Sequence, residues 1–370
     1  MPEPWADVRD LLDTGQRSGI FSAAVLATQD LRTSRVLFEH VCGTTESGPT
    51  GLVVHRAARF DLASLTKLIT ATAALRLAAA GVLDLDAPVG GLLRGRVPRG
   101  AGAAITPRHL LAHTSGLPAW TPLWESGDVL EVALRIAPVA PPGDSHTYSD
   151  IGFLWLAATM VSAAGAPLDH LLKREVLDPL EMAATRFHPL PIAALDADVV
   201  ATEVCPERGL LRGQVSDRNT WHLGGIGPHA GLFGPLGDLL AFAQAWFDAP
   251  ATGYLPAAIR DEAWGPPSIP GGQSWGGTPW RRAATRRSAG CCRRAAMATS
   301  RSPAHPCGST PTEQWWSCFC AIASIRPATN PVFGRCGPLF TTRWHGLWTQ
   351  CNDAPPQGNR SRGPGIEESA

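Results

Sequence analysis

The sequence has few of the features that mark several classes of protein. Among 370 residues only two are Lys and two are Tyr, and no apolar run reaches the roughly 20 residues of a membrane-spanning helix. The N-terminus lacks a basic stretch followed by an apolar one, so no secretory signal is visible and a cytoplasmic location is expected, with export as the alternative if the start codon is misassigned. The composition also excludes collagen, coiled coils and disordered charged tails. What remains is a chain long enough for one large folded domain or two ordinary ones.

Charge, cysteine and tryptophan are distributed unevenly along the chain. Residues 1–270 contain 20 Lys and Arg against 28 Asp and Glu, whereas residues 271–370 contain 12 Arg against 4 acidic residues. The formal net charge of zero is therefore the sum of −8 and +8. Seven of the nine Cys lie after residue 290, and six of the 13 Trp lie after residue 270. We predict one folded domain over 1–270 and an aberrant, poorly ordered tail over 271–370.

Hydrophobic periodicity indicates an α+β protein with most of its helices after two early strands. The predicted strands are Phe21–Ala27 and Val36–Val41. The predicted helices are Val8–Gly15, Ala63–Ala80, Thr106–His113, Ile151–Gly165, Leu168–Val176 and Leu236–Phe247. The helix over 63–80 has its apolar residues at a 3.6 period on one face, which predicts an amphipathic helix.

The segment Ser64-Leu65-Thr66-Lys67 is the first candidate for chemistry. Ser64 lies at the predicted start of a helix, and Lys67 follows one turn later on the same face. An amine in that position can take the proton of the hydroxyl and make it a nucleophile. The alternative is that Ser64 only caps the helix and Lys67 is a solvated side chain.

A second candidate is Tyr148-Ser149-Asp150, which lies between a Pro-Pro-Gly turn and a predicted helix. A tyrosine close to a lysine can relay a proton to a leaving group. The alternative is a turn tyrosine followed by an acidic residue at the start of the next helix.

Longer stretches around these motifs resemble a known family. The first 270 residues resemble the serine β-lactamase and penicillin-binding-protein superfamily, and most closely its class C-like branch of carboxypeptidases, esterases and β-lactamases. The segments that carry the resemblance are 60–67, 81–89, 105–118, 142–143, 148–150 and 225–233. The resemblance implies a β-lactamase/DD-peptidase-like fold, in which an antiparallel sheet is interrupted by a large helical insertion.

The same resemblance implies a role for each matching residue. Ser64 would be the acylated nucleophile, Lys67 its base and Tyr148 the proton relay, with the backbone N–H of Ser64 as half of an oxyanion hole. Asp150 stands where the family more often has Asn, and it would contact substrate amides. His229 lies in a loop near the expected cleft, where substrate binding and a structural role are equally open. β-Lactams, D-alanyl peptides and carboxylic esters are the implied substrates.

No metal or other cofactor is expected. His109 and His113 are four residues apart but have no third ligand, and the cysteines form no paired C-x-x-C set. The Arg-rich tail has no helical basic stripe, so a nucleic-acid partner is not expected. The expected partner is a small-molecule or peptide acyl substrate, and the oligomeric state stays open.

The tail lacks a third catalytic motif that the resemblance implies. Family members carry Gly-His-x-x-Phe-Thr-Gly on a strand in this region, and residues 271–370 do not contain it. When the codons of residues 296–312 are read starting at their third base, they permit Tyr-Gly-His-(Phe or Leu)-(Ala or Ser)-Phe-Thr-Gly-Thr-Ser. We therefore predict a shift of reading frame between about Ser268 and Trp280, with the closing strands absent or scrambled. The alternative function is a catalytically inactive remnant, or a protein that uses the cleft only for binding.

Overall fold

The computed structural model describes residues 5–93, 95–100, 104–188, 192, 195–264, 298–301 and 315–323. The helices are α1 Ala6–Arg17, α2 Thr66–Ala79, α3 Val89–Leu92, α4 Pro107–Leu111, α5 Val129–Arg135, α6 Asp150–Ala164, α7 Leu168–Leu172, α8 Arg218–His222, α9 Leu236–Thr252 and α10 Ala257–Trp264. The strands are β1 Ala23–Asp30, β2 Arg35–Gly43, β3 Phe60–Asp61, β4 Arg186–Phe187, β5 Ala201–Cys205, β6 Gly209–Arg212, β7 Leu232–Gly234, β8 Ala298–Arg301 and β9 Trp315–Ala323.

The largest sheet has four antiparallel strands in the order β2-β1-β9-β8. Strand β1 lies inside it and is buried along all but its last residue. Its side chains alternate between two cores, as the two-residue period of a strand requires. Ala24 and Leu26 pack with α1, whereas Ala23, Val25 and Ala27 join the main core that contains α2 and α6.

Two strands lie in the tail, where the sequence analysis expects closing strands to be absent or scrambled. Strand β9 pairs with β1 from Ala23 opposite Ala323 to Asp30 opposite Trp316, and β8 pairs with β9. The structure therefore differs from that expectation over these two segments. The physical reason lies in β1, because the backbone N–H and C=O groups along both edges of a buried strand need partners. The proposed frame shift itself stays a prediction.

Helix α2 lies at the centre of the domain. Eleven of its 14 residues are buried, and these include the polar side chains of Thr66, Lys67 and Thr70. The prediction of an amphipathic helix with one apolar face is therefore wrong, because α6, α7 and the turn over 173–177 pack around α2. The predicted start at Ala63 is a 3-10 turn, Ala63–Leu65, which leads into the α-helix.

Helix α6 is the second buried helix, and its limits agree with the prediction to one residue. Ser149 caps its N-terminus by accepting a hydrogen bond from Gly152 N at 2.9 Å, and Gly165 ends it in the left-handed conformation at φ 65°. Trp155 is fully buried and donates from Nε1 to Ala133 O at 2.9 Å. The start of α6 is thus fixed, and with it the loop that carries Tyr148.

Among the described residues, none of the helices alone has the length and apolar composition to cross a membrane. Helix α6 together with Leu168–Leu177 meets both criteria, but the two segments bend by 81°. Residues 151–160 of α6 are buried inside the protein, as expected of a core helix.

Candidate active site

Ser64 lies in the tight turn between β3 and α2. The buried carboxylate of Asp61 holds this turn by accepting from Ala63 N at 2.8 Å and from Ser216 N at 2.9 Å. Ala63 has φ 44°, in the left-handed region that residues with a Cβ seldom adopt. Ser64 is exposed, although the helix that follows it is almost entirely buried. The turn thus presents the hydroxyl of Ser64 to solvent.

Lys67 lies directly beneath this hydroxyl. Its Nζ donates to Ser64 Oγ at 2.9 Å and to the main-chain oxygen of His229 at 3.4 Å, and it lies 2.8 Å from Asp150 Oδ1. Its side chain is only 4% exposed. The structure thus brings Ser64 and Lys67 together and differs from the alternative of a solvated lysine. Three acceptors match the three N–H donors of an ammonium group.

The environment of Lys67 determines its charge. Burial acts to lower the pKa of Lys67, but the oxygens of Tyr148 and Asp150 outweigh burial, so the pKa lies above its ordinary value. Lys67 is therefore an ammonium at neutral pH. It can accept a proton from Ser64 only after it has released its own.

Tyr148 lies beside the amine, with its ring centroid 4.6 Å from Lys67 Nζ. On its other side the imidazole of His113 lies 4.5 Å away, centroid to centroid. His113 is buried, its backbone has φ 57°, and its Nδ1 accepts from Ser149 N at 3.0 Å. Burial, followed by the charge of Lys67, lowers the pKa of His113 well below its ordinary range. His113 is thus a neutral acceptor that holds the loop of Tyr148.

Asp150 and His229, both predicted to bind substrate, contact Lys67 in different ways. Asp150 uses its carboxylate, whereas His229 uses its main-chain carbonyl. The imidazole of His229 is 1% exposed, and its Nε2 lies 2.9 Å from Asp217 Oδ1. A direct contact of either residue with substrate stays a prediction.

Sequence reasoning missed three residues that shape the site: Asp61, His113 in its positioning role, and Asp217. Two of them have a local signal: Asp217 caps α8 by accepting from Thr220 N at 2.7 Å, and Asp61 accepts from Ala63 N two residues further on. Asp61 and His113 act through residues 155 and 36 positions away. No local pattern reports such contacts.

Two groups within the described part of the chain place three possible metal ligands close together. They are Asp13, His40 and Cys42, and Asp150, Asp217 and His229. In the second group the ammonium of Lys67 already lies on Asp150 and opposes a further cation. In the first, burial and the charge of Asp13 raise the pKa of Cys42 to about 11, which favours the thiol over the metal-binding thiolate. The expectation of a metal-free protein stays a prediction.

With this geometry in place, comparison with known proteins identifies the family. A family model described as Beta-lactamase matches residues 8–303. The chain therefore belongs to the Beta-lactamase family, and the predicted family and fold class are confirmed. The match extends past residue 270, and the predicted domain boundary there stays a prediction.

Individual relatives are more distant. A putative D-alanyl-D-alanine carboxypeptidase of Escherichia coli (strain K12) is 29% identical over 160 residues, which cover 36% of this chain and 37% of that protein. The chain thus spans well under two thirds of the length of this curated relative.

Solved structures share the fold. The octameric penicillin-binding protein homologue from Pyrococcus abyssi is 20% identical with a TM-score of 0.58, over 70% of this chain and 60% of that one. EstCE1, a hydrolase with promiscuous acyltransferase activity, is 20% identical with a TM-score of 0.56, over 70% of this chain and 76% of that one. At this identity the likeness concerns the fold, and the family as a whole is hydrolytic.

Proposed function

We propose that this chain is a serine hydrolase that forms an acyl-enzyme on Ser64, with Lys67 as base and Tyr148 as proton relay. The observation that carries the proposal is the 2.9 Å contact between Lys67 Nζ and Ser64 Oγ, because a general base must lie within hydrogen-bond reach of the proton it removes. The exposure of Ser64 above a buried amine also supports it, since a substrate reaches the hydroxyl but not the base.

The reaction would proceed in two halves. In the first, Ser64 Oγ attacks the carbonyl carbon of the substrate, and its proton passes to the neutral amine of Lys67. The backbone N–H of Ser64 donates to the oxygen that becomes negative. The bond to the leaving group then breaks, and that group receives the proton through Tyr148. In the second half water attacks the serine ester, which releases the acid and restores the hydroxyl.

The substrate class is a carboxylic acyl compound: a β-lactam, a D-alanyl peptide or an ester. The carboxypeptidase relative favours the peptide, and the EstCE1 likeness is consistent with the ester. Turnover of nitrocefin, a D-alanyl-D-alanine peptide and a nitrophenyl ester by the same preparation distinguishes the three.

Modification by a fluorophosphonate probe tests the mechanism. The full chain is expected to gain the mass of the probe on the peptide that contains Ser64, and Ser64→Ala is expected to gain none. Ser162→Ala is a matched control. Ser162 is an exposed serine on α6, and its hydroxyl donates to Leu92 O at 2.9 Å. The proposal is wrong if the probe never modifies Ser64 between pH 6 and 10, or if Ser64→Ala is labelled equally.

A second candidate, binding without catalysis, is favoured by the charge of Lys67. The Asp150 carboxylate at 2.8 Å stabilises the ammonium, which is the wrong form for a base. This candidate predicts that a β-lactam raises the melting temperature of the full chain while no acyl adduct forms. An adduct on Ser64 would exclude it.

A further inference from the structure

A hydrogen-bonded pair, Asp217 and His229, lies behind the amine of Lys67. His229 Nε2 donates to Asp217 Oδ1 at 2.9 Å, and Thr220 Oγ1 lies 3.3 Å from the same nitrogen. The side chains of His229 and Asp217 are 1% and 18% exposed. Burial would raise the pKa of Asp217, but His229 and the N–H of Thr220 outweigh it and hold the pKa below the ordinary value. Asp217 is therefore an anion.

This pair reaches Lys67 by two routes. The main-chain oxygen of His229 lies 3.4 Å from Lys67 Nζ, so a displacement of His229 displaces an acceptor of the amine. The carboxylates of Asp217 and Asp150 and a ring nitrogen of His229 all lie within 4.8 Å of one another. Asp150 in turn lies 2.8 Å from Lys67 Nζ.

The loop that carries His229 is held between α2 and α8. Thr70 of α2 donates from Oγ1 to Pro228 O at 2.8 Å. On the other side, a Cβ on Gly227 would lie 2.5 Å from Thr220 Oγ1, so a larger residue at 227 would have to displace the side chain of Thr220. The carboxylate of Asp217 caps α8, and it therefore has a fixed position relative to that loop.

We propose, on the basis of the function proposed above, that Asp217 and His229 are positioning residues that direct the amine of Lys67 toward Ser64. His229 supplies a carbonyl that fixes one N–H of the amine, and Asp217 holds His229 in place. Asp217 also adds a second negative charge behind Asp150. Neither side chain needs to touch the substrate for this role.

The charges around the two groups set the expected pH effect. Lys67 faces Asp150 at the start of α6 and Tyr148 in the loop before it, and its charge also acts on the neutral His113. Asp217 faces His229 and lies close to Asp150. Removing the charge of Asp217 therefore makes the ammonium of Lys67 less stable, and the neutral amine becomes available at lower pH.

The test is the pH dependence of Ser64 modification by the fluorophosphonate in full-length variants. Asp217→Asn keeps the shape and the helix cap but removes the charge. The rate of Ser64 labelling should rise with pH as Lys67 loses its proton, which we call the acidic limb of the rate profile. We expect this limb to lie about one pH unit lower in Asp217→Asn, because removing a nearby negative charge lowers the pKa of the amine. Asp238→Asn is the matched control, because Asp238 is an acid at the start of α9 that accepts from Thr185 Oγ1 at 2.7 Å. The labelling rate of Asp238→Asn is expected to rise over the same pH range as that of the wild type.

Variants of His229 separate positioning from folding. His229→Gln retains an N–H donor toward Asp217 and is expected to keep most of the rate. His229→Ala is expected to lower kcat for an ester about tenfold, as for the loss of one hydrogen bond to a charged group, with KM changed less than twofold. Melting temperatures measured alongside identify any variant that is unfolded.

Different results overturn the two proposals. If the wild type is modified on Ser64 while Asp217→Asn follows the profile of Asp238→Asn, the positioning role is wrong and the hydrolase proposal stands. If Asp217→Asn and His229→Ala lower the melting temperature but leave the profile and kcat unchanged, the pair is structural only. If the wild type is never modified, both proposals fail, because there is no base to position.

Discussion

The helices that carry the candidate site and the strands that close the sheet are specified in different ways. Helices α2 and α6 combine a local sequence pattern with a buried environment, and their limits lie within a few residues of the prediction. Strands β8 and β9 come from a tail without such a pattern, yet they pair with the main sheet through the backbone. The position of a helix buried on all sides depends on how its side chains pack. Antiparallel strand pairing instead uses backbone N–H and C=O groups, which almost every residue has.

Deletion of residues 265–370 should have the largest effect. It removes β8 and β9, so β1 loses the partner that spans it from Ala23 to Asp30. We expect loss of the cooperative thermal transition and aggregation through the exposed strand edge. Deletion of 324–370 alone leaves β9 in place and serves as the control. If both deletions melt like the full chain, the sheet does not need the tail.

Restoring the reading frame should have the next largest effect, and the quantity that changes is the rate of acylation of Ser64. We expect nucleotide sequencing over codons 265–285 to show a shifted frame. A repaired chain should acylate Ser64 about 10²–10³ times faster, because it regains an oxyanion donor. An intact frame, with peptides from Arg281–Arg301 found in cells, would show that the tail is genuine.

Replacement of Asp150 by Asn is a smaller change confined to the helical region. It removes the carboxylate 2.8 Å from Lys67 Nζ that helps to raise the pKa of Lys67. The ammonium becomes less stable, so the acidic limb of the Ser64 modification rate should move to lower pH by about one unit or more, at about 1.4 kcal/mol per unit. Glu131→Gln controls for a general change of charge, because Glu131 is a half-buried acid on α5 that pairs with Arg96. An unchanged pH profile of Ser64 modification would mean that Asp150 does not help to set the pKa of Lys67.

Short-range features of the site were predictable and long-range ones were not. The i, i+3 spacing of Ser64 and Lys67 predicts their proximity because both lie within one helical turn. The ion pair of Lys67 with Asp150 and the bond of Asp61 with Ser216 join residues far apart in sequence. The complete burial of α2 was also missed, because a helix surrounded by other helices has no polar face to reveal its orientation.

The amino-acid sequence alone determined the family, the α+β class, the helices that flank the candidate site and the spacing of Ser64 and Lys67. All of these depend on neighbours within a few residues or on motifs read directly from the chain. The tertiary structure alone decided the charge of Lys67, the burial of His229 against Asp217, and the pairing of β9 with β1. Electrostatic and hydrogen-bond energies depend on distances in space, and those distances exist only once separate segments have packed together.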